Sequence, residues 1–175
     1  NEGTAILSPD GQMLVFTRCY SGQAYDALCK LMYSYKRGNV WQEPEPFPFI
    51  RDEVNYGHPA FAANGTTLFF SSDAPEGQGG HDIYFTQMDG EGKWADPINL
   101  GTFINTIGQE QYPTVYKDTL FYSSDRLAGL GGLDIFKTYL NAEGQWVPPI
   151  NLRSPLNSGA DDFGLIVDTF AASEE

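Results

Sequence analysis

The strongest constraint on this chain is that it repeats itself. Residues 67–101 (TLFFSSDAPEGQGGHDIYFTQMDGEGKWADPINLG) align with residues 119–153 (TLFYSSDRLAGLGGLDIFKTYLNAEGQWVPPINLR) at a constant offset of 52. Ser71-Ser72-Asp73 falls on Ser123-Ser124-Asp125, Gly79-Gly80 on Gly131-Gly132, Asp82-Ile83 on Asp134-Ile135, and Trp94 on Trp146. A more diverged copy precedes them. Ser8-Pro9-Asp10-Gly11 and Leu14-Val15-Phe16 match Ala62-Ala63-Asn64-Gly65 and Leu68-Phe69-Phe70 at an offset of 54, with Leu31-Met32-Tyr33 standing for Asp-Ile-Tyr. A fourth copy opens at Phe163-Gly164-Leu165-Ile166-Val167, in the place of Pro113-Thr114-Val115-Tyr116. A unit this short buries its faces only by stacking on its neighbours.

Each unit reads as four strands, in the middle copy about 59–63, 67–72, 82–88 and 94–100. Asn64-Gly65 is hairpin turn chemistry joining the first two. The second strand is apolar on consecutive residues (Leu68-Phe69-Phe70, Leu120-Phe121-Tyr122) rather than alternating, the pattern of a strand covered on both sides. Four strands per repeat of about 50 residues predict an all-β fold, a β-propeller of four-stranded antiparallel blades. The blades are expected at about 3–54, 58–106 and 112–158, with the first strand of a fourth at about 161–168. Three blades and a strand do not close a ring. The expectation is therefore a portion of a larger propeller, or one whose open faces are covered by another copy.

The motifs S-P-D-G, S-D-R-x-x-G-x-G-G-x-D-I-F and G-x-W-x-x-P-x-N-L resemble the TolB-type, WD-repeat-like propellers. Gly-Leu-Gly-Gly-Leu-Asp-Ile-Phe and Asn-Ser-Gly-Ala-Asp-Asp-Phe-Gly resemble, more narrowly, propellers of OmpA-family peptidoglycan-associated outer-membrane proteins of Bacteroidetes, including a type IX secretion component. The resemblance implies a periplasmic, outer-membrane-associated protein. The helical repeats and peptidoglycan-binding module that accompany such propellers are not in this sequence. The chain opens at Asn1-Glu2-Gly3 without a Met, as expected of a processed or truncated product.

Charge narrows the partners. Acidic residues outnumber basic ones 23 to 10, and the resulting field of −13 repels phosphate backbones and anionic lipid. Cys19 and Cys29 are the only cysteines, too few for a zinc site; in an exported protein a disulfide between them would staple the segment that replaces the Gly-rich loop, and two free thiols are the alternative. Closing that loop is worth about 3 kcal/mol.

The Gly-rich stretches Gly77–Gly80 and Gly129–Gly132 lead into strands and carry no Lys-Ser/Thr, so Gly79, Gly80, Gly131 and Gly132 read as loop formers rather than a phosphate cradle. Asp82 and Asp134, beside Asp73 and Asp125, read as acceptors of backbone N–H groups that fix the loops, with calcium binding left open. His58, Tyr112 and Asp162 open successive inner strands and are the candidates to line the central channel. There is no G-x-S-x-G elbow, and no carboxylate pair stands out. No cofactor is implied. The reading that results is a non-enzymatic interaction scaffold docking a protein partner in a cell-envelope assembly. Capture of glycan or peptidoglycan fragments is the alternative, and a hydrolase or lyase the third.

Overall fold

The computed structural model describes residues 2–20, 28–126 and 129–167. In chain order the strands are β1 Glu2–Leu7, β2 Met13–Tyr20, β3 Leu28–Arg37, β4 Val40–Trp41, β5 Glu45–Pro46, β6 Tyr56–Phe61, β7 Thr67–Ser72, β8 Asp82–Gln87, β9 Ile98–Asn99, β10 Glu110–Tyr116, β11 Thr119–Ser124, β12 Asp134–Tyr139 and β13 Ile150–Asn151. They form three antiparallel sheets, ordered β1-β2-β3-β4 with β5 also on β3, β6-β7-β8-β9, and β10-β11-β12-β13. These are three blades of a propeller, and no helix occurs among the described residues.

The outermost strands are shorter than the sequence predicts. β9 keeps two residues plus a bridge between Met88 and Trp94, and β13 keeps two plus a bridge between Leu140 and Trp146. Pro97, and Pro148-Pro149, stand just before these ladders and cannot donate to them. The fourth-blade segment differs as well. Residues 161–167 lie beside β10, where Thr114 Oγ1 donates to the Leu165 carbonyl, but they form no ladder. Residue 168, the expected end of that strand, lies outside the described residues.

Consecutive apolar residues separate onto two cores, as a doubly covered strand requires. Leu68 and Phe70 of β7 pack with Met13, Val15 and Leu31 of the first blade, while Phe69 packs with Leu120, Tyr122 and Phe136 of the third. Each such side chain contributes about 2–3 kcal/mol when fully buried. The outer-strand tryptophans wedge backwards, Trp94 onto Phe47 at 5.3 Å and Trp146 onto Phe69 at 6.3 Å. At the end of the stack the same pattern is left without a partner. Leu156, counterpart of the fully buried Ile104, is 52% exposed.

Candidate functional site

The inner strands β1, β6 and β10, with residues 164–167, line a groove of about 450 Å³. β6 and β10 each carry an irregularity, between Gly57 and Ala60 and between Gln111 and Thr114. There His58 and Tyr112 both adopt φ 53°, and each is followed by a proline. A left-handed non-glycine residue costs about 1–3 kcal/mol, and the residue before a proline is already driven from the α region. The kink puts the rings in a ladder: His58 on Tyr112 at 4.0 Å, and Tyr112 on Phe163 at 4.8 Å.

The third rung is Phe163 and not Asp162, which corrects the sequence reading. Asp162 accepts from the Ser158 N–H at 2.6 Å, just as Glu110 accepts from the Thr106 N–H at 2.7 Å. It closes a loop and does not line the groove. The pair Thr106 and Glu110, repeated as Ser158 and Asp162 at the same spacing, was the signal that separates them.

His58 Nδ1 lies 2.8 Å from Ser71 Oγ, whose own proton goes to the Gly57 carbonyl at 3.3 Å. Burial, helped by repulsion from His81, pulls the imidazole down to about 4, so it is neutral at physiological pH. Ser71 is fully buried, and the contact holds the ring rather than offering a nucleophile. His81 binds Gln109 Oε1 through its ring and its N–H.

The Gly-rich corners are built from backbone contact. A Cβ at Gly79 would overlap the Thr106 and Ile107 backbone, and one at Gly131 the backbone of Gly159 and Ala160. A Cβ at Gly80 or Gly132 would meet the side chains of Gln109 and Asp161. Asp82 accepts from the Gln78 N–H and from Asn99 Nδ2 at 2.7 Å; Asp134 accepts from Leu130 N, Gly131 N and Asn151 Nδ2. Asp73 is bound by Asn55 and Asp125 by the Gln109 N–H, so these carboxylates serve different loops. Among the described residues no cluster of three or more His, Cys, Asp or Glu is arranged to hold a metal ion.

The first blade solves its corner differently. Pairing of Arg18 with Lys30, as of Ser72 with Asp82, places Lys30 where the other blades have aspartate, one residue before the position read from sequence. Its Nζ donates to the carbonyls of Arg51, Asp52 and Val54 at 2.6, 2.7 and 2.9 Å. Burial lowers the Lys30 ammonium from its usual range, against the opposing pull of Asp52, Asp73 and Glu53. Cys19 and Cys29, directly paired across β2 and β3, are joined by a disulfide.

No family model matches the sequence, and no curated protein matches it. Solved structures do. A puromycin-hydrolysing peptidase of Mycobacterium tuberculosis superimposes with a TM-score of 0.60 at 14% identity, over 93% of this chain and 24% of that one. Prolyl endopeptidases superimpose at 0.53 and 16%, over 93% of this chain and 22% of theirs. A putative TolB from Agrobacterium tumefaciens matches at 0.43 and 12%, over 90% of this chain and 68% of that one. The chain shares the β-propeller fold of the peptidases it matches, and spans about a quarter or less of their length.

These likenesses overturn the expectation of a non-enzymatic protein. Its ground was the lack of a catalytic constellation in the sequence, yet the chain superimposes on small parts of whole peptidases. A propeller segment without a nucleophile elbow is thus no different from one that serves inside an enzyme.

Proposed function

We propose that this chain is a binding propeller that docks a protein partner in a periplasmic, outer-membrane-associated assembly. The observation that carries the proposal is the inner-strand groove, lined by His58 and Tyr112, whose rings continue in one ladder onto Phe163. Rigid aromatic surface is what interface anchors are made of. The acidic surface disfavours nucleic acid and anionic lipid and leaves proteins as partners. The Cys19–Cys29 disulfide supports an oxidising compartment. The likeness of Gly129–Phe136 and Asn157–Gly164 to OmpA-family propellers, including a type IX secretion component, supports the address at the outer membrane.

The test is site-specific photo-crosslinking in envelope membranes, with the crosslinker at Tyr112 and, as control, at Lys93 in the exposed turn. A discrete protein adduct from position 112 alone is expected; equal or absent adducts at the two positions would remove the reading. Stacked rings also suit sugar faces, which favours a second reading, capture of peptidoglycan fragments. Under that reading muropeptides raise the melting temperature of the wild type and leave that of Tyr112→Ala unchanged.

A further inference from the structure

The second and third blades share a backbone but differ at one buried site. In the third, Arg126 folds inward, its guanidinium carbon 5.2 Å over the Phe136 ring and Nη2 donating to the Ile104 carbonyl at 2.6 Å. Its counterpart in the second blade, 52 residues earlier, is Ala74. The main chain follows the same path, because the Ala74 N–H bonds Ser72 Oγ at 3.3 Å and the Arg126 N–H bonds Ser124 Oγ at 3.2 Å. The rings beneath are also alike, with Phe70 to Tyr84 and Tyr122 to Phe136 both separated by 6.1 Å. At the place where the third blade holds the Arg126 guanidinium, the second holds a pocket of about 360 Å³, lined by Ala74, Phe70, Tyr84, Glu76 and Asp96 and, on one side, by Arg51.

Further differences surround that space. Phe136 is replaced by Tyr84, whose buried hydroxyl has no hydrogen-bond partner among the described residues. Beside it Asp82 Oδ1 is likewise buried and unpartnered, whereas both oxygens of Asp134 accept hydrogen bonds. At the rim Pro148 is replaced by Asp96, and Glu76 adds a second carboxylate, partly offset by its ion pair with Arg51 at 2.8 Å. We propose that this pocket is a receptor for an arginine side chain of a partner protein, taking the guanidinium on the Tyr84 ring as the third blade takes its own Arg126. A planar guanidinium stacks on a ring face and donates in its own plane; an ammonium cannot do both. The pocket is separate from the inner-strand groove.

The probe is N-acetyl-L-arginine amide, titrated into the 175-residue chain and followed by backbone amide NMR, with the citrulline and lysine derivatives as neutral and ammonium controls. Saturable shifts at residues 72–76 and 84 are expected, with a dissociation constant on the order of 1 mM. The controls should bind about tenfold more weakly. Ala74→Arg fills the pocket from within and should abolish the shifts, and Tyr84→Phe and Asp96→Asn should weaken them while leaving the rest of the spectrum unchanged. Absence of saturable shifts in the wild type, equal binding of citrulline or lysine, or undiminished binding by Ala74→Arg overturns the proposal. Tyr84→Phe and Asp96→Asn decide the matter should Ala74→Arg not fold. None of these results depends on the Tyr112 crosslink, so the two readings fail separately.

Discussion

The corners of the first blade and of the later two do the same job with opposite charge. In the second and third blades an aspartate at the head of the third strand gathers N–H groups from a glycine-rich loop. In the first, a lysine at that position gathers three carbonyls from residues 51–54, and the loop between its second and third strands is closed by a disulfide. Both arrangements satisfy backbone groups that would otherwise be buried unpaired. The position selects for a group that can satisfy several backbone atoms at once, and the sign of its charge follows from which end of the peptide the loop turns inward.

The largest effect should come from removing the inverted charge. Lys30→Met keeps the aliphatic stem but leaves three carbonyls without a donor, for an expected loss of about 4 kcal/mol in urea unfolding. If Lys30→Met unfolds at the wild-type midpoint, the corner is held by the disulfide alone and the comparison breaks. Next comes the glycine that touches the loop ahead of the following blade. Gly79→Ala drives a methyl into the Thr106 and Ile107 backbone and should cost about 3 kcal/mol. Gly131→Ala meets residues 159–160 at the open end of the stack, where the neighbour can yield, and should cost about 1 kcal/mol. Equal losses would mean that the loop's own conformation, not the neighbouring blade, demands glycine.

Much of this was legible because the repeat is a physical statement. A strand apolar at every position must be covered twice, and that pattern alone separated the two cores. The glycine and aspartate corners were legible as well, since they recur at offset 52. What stayed hidden was register in the diverged copies. Leu31 was matched to Asp82 by its apolar neighbours, whereas strand pairing assigns Lys30, because a polar residue that changes sign leaves no similarity to find. Asp162 falls in the groove when the fourth copy is anchored on Pro113, an offset of 50, whereas the loop contacts match it to Glu110 at the offset of 52 that holds between the second and third blades. The Ala74 pocket lay beyond sequence reasoning altogether. It is visible only when an arginine in one blade occupies the volume left open in another.

The disulfide matches the Gly79→Ala effect in size. Removing it with Cys19→Ser and Cys29→Ser together restores the freedom of a loop of about ten residues in the unfolded chain, worth about 3 kcal/mol. The double variant and reduced wild type should show the same melting temperature, and a stable variant indistinguishable from oxidised wild type would leave Lys30 as the corner's whole support.

A pH-dependent effect separates the inner strands, where the second blade carries His58 and the third Tyr112. Unfolded, the imidazole titrates near 6.5; folded, it stays neutral until about 4. Between those values the unfolded chain binds more protons, so stability falls as pH falls through that window. It should be intact above about pH 7 and reduced by about 2 kcal/mol at pH 5. His58→Gln cannot titrate, and its unfolding free energy should lose that share of the slope between pH 7 and 5, measured by urea denaturation at each pH. An unchanged slope would mean that the imidazole is open to solvent, and that the ladder in the groove is looser than its 4.0 Å first rung implies.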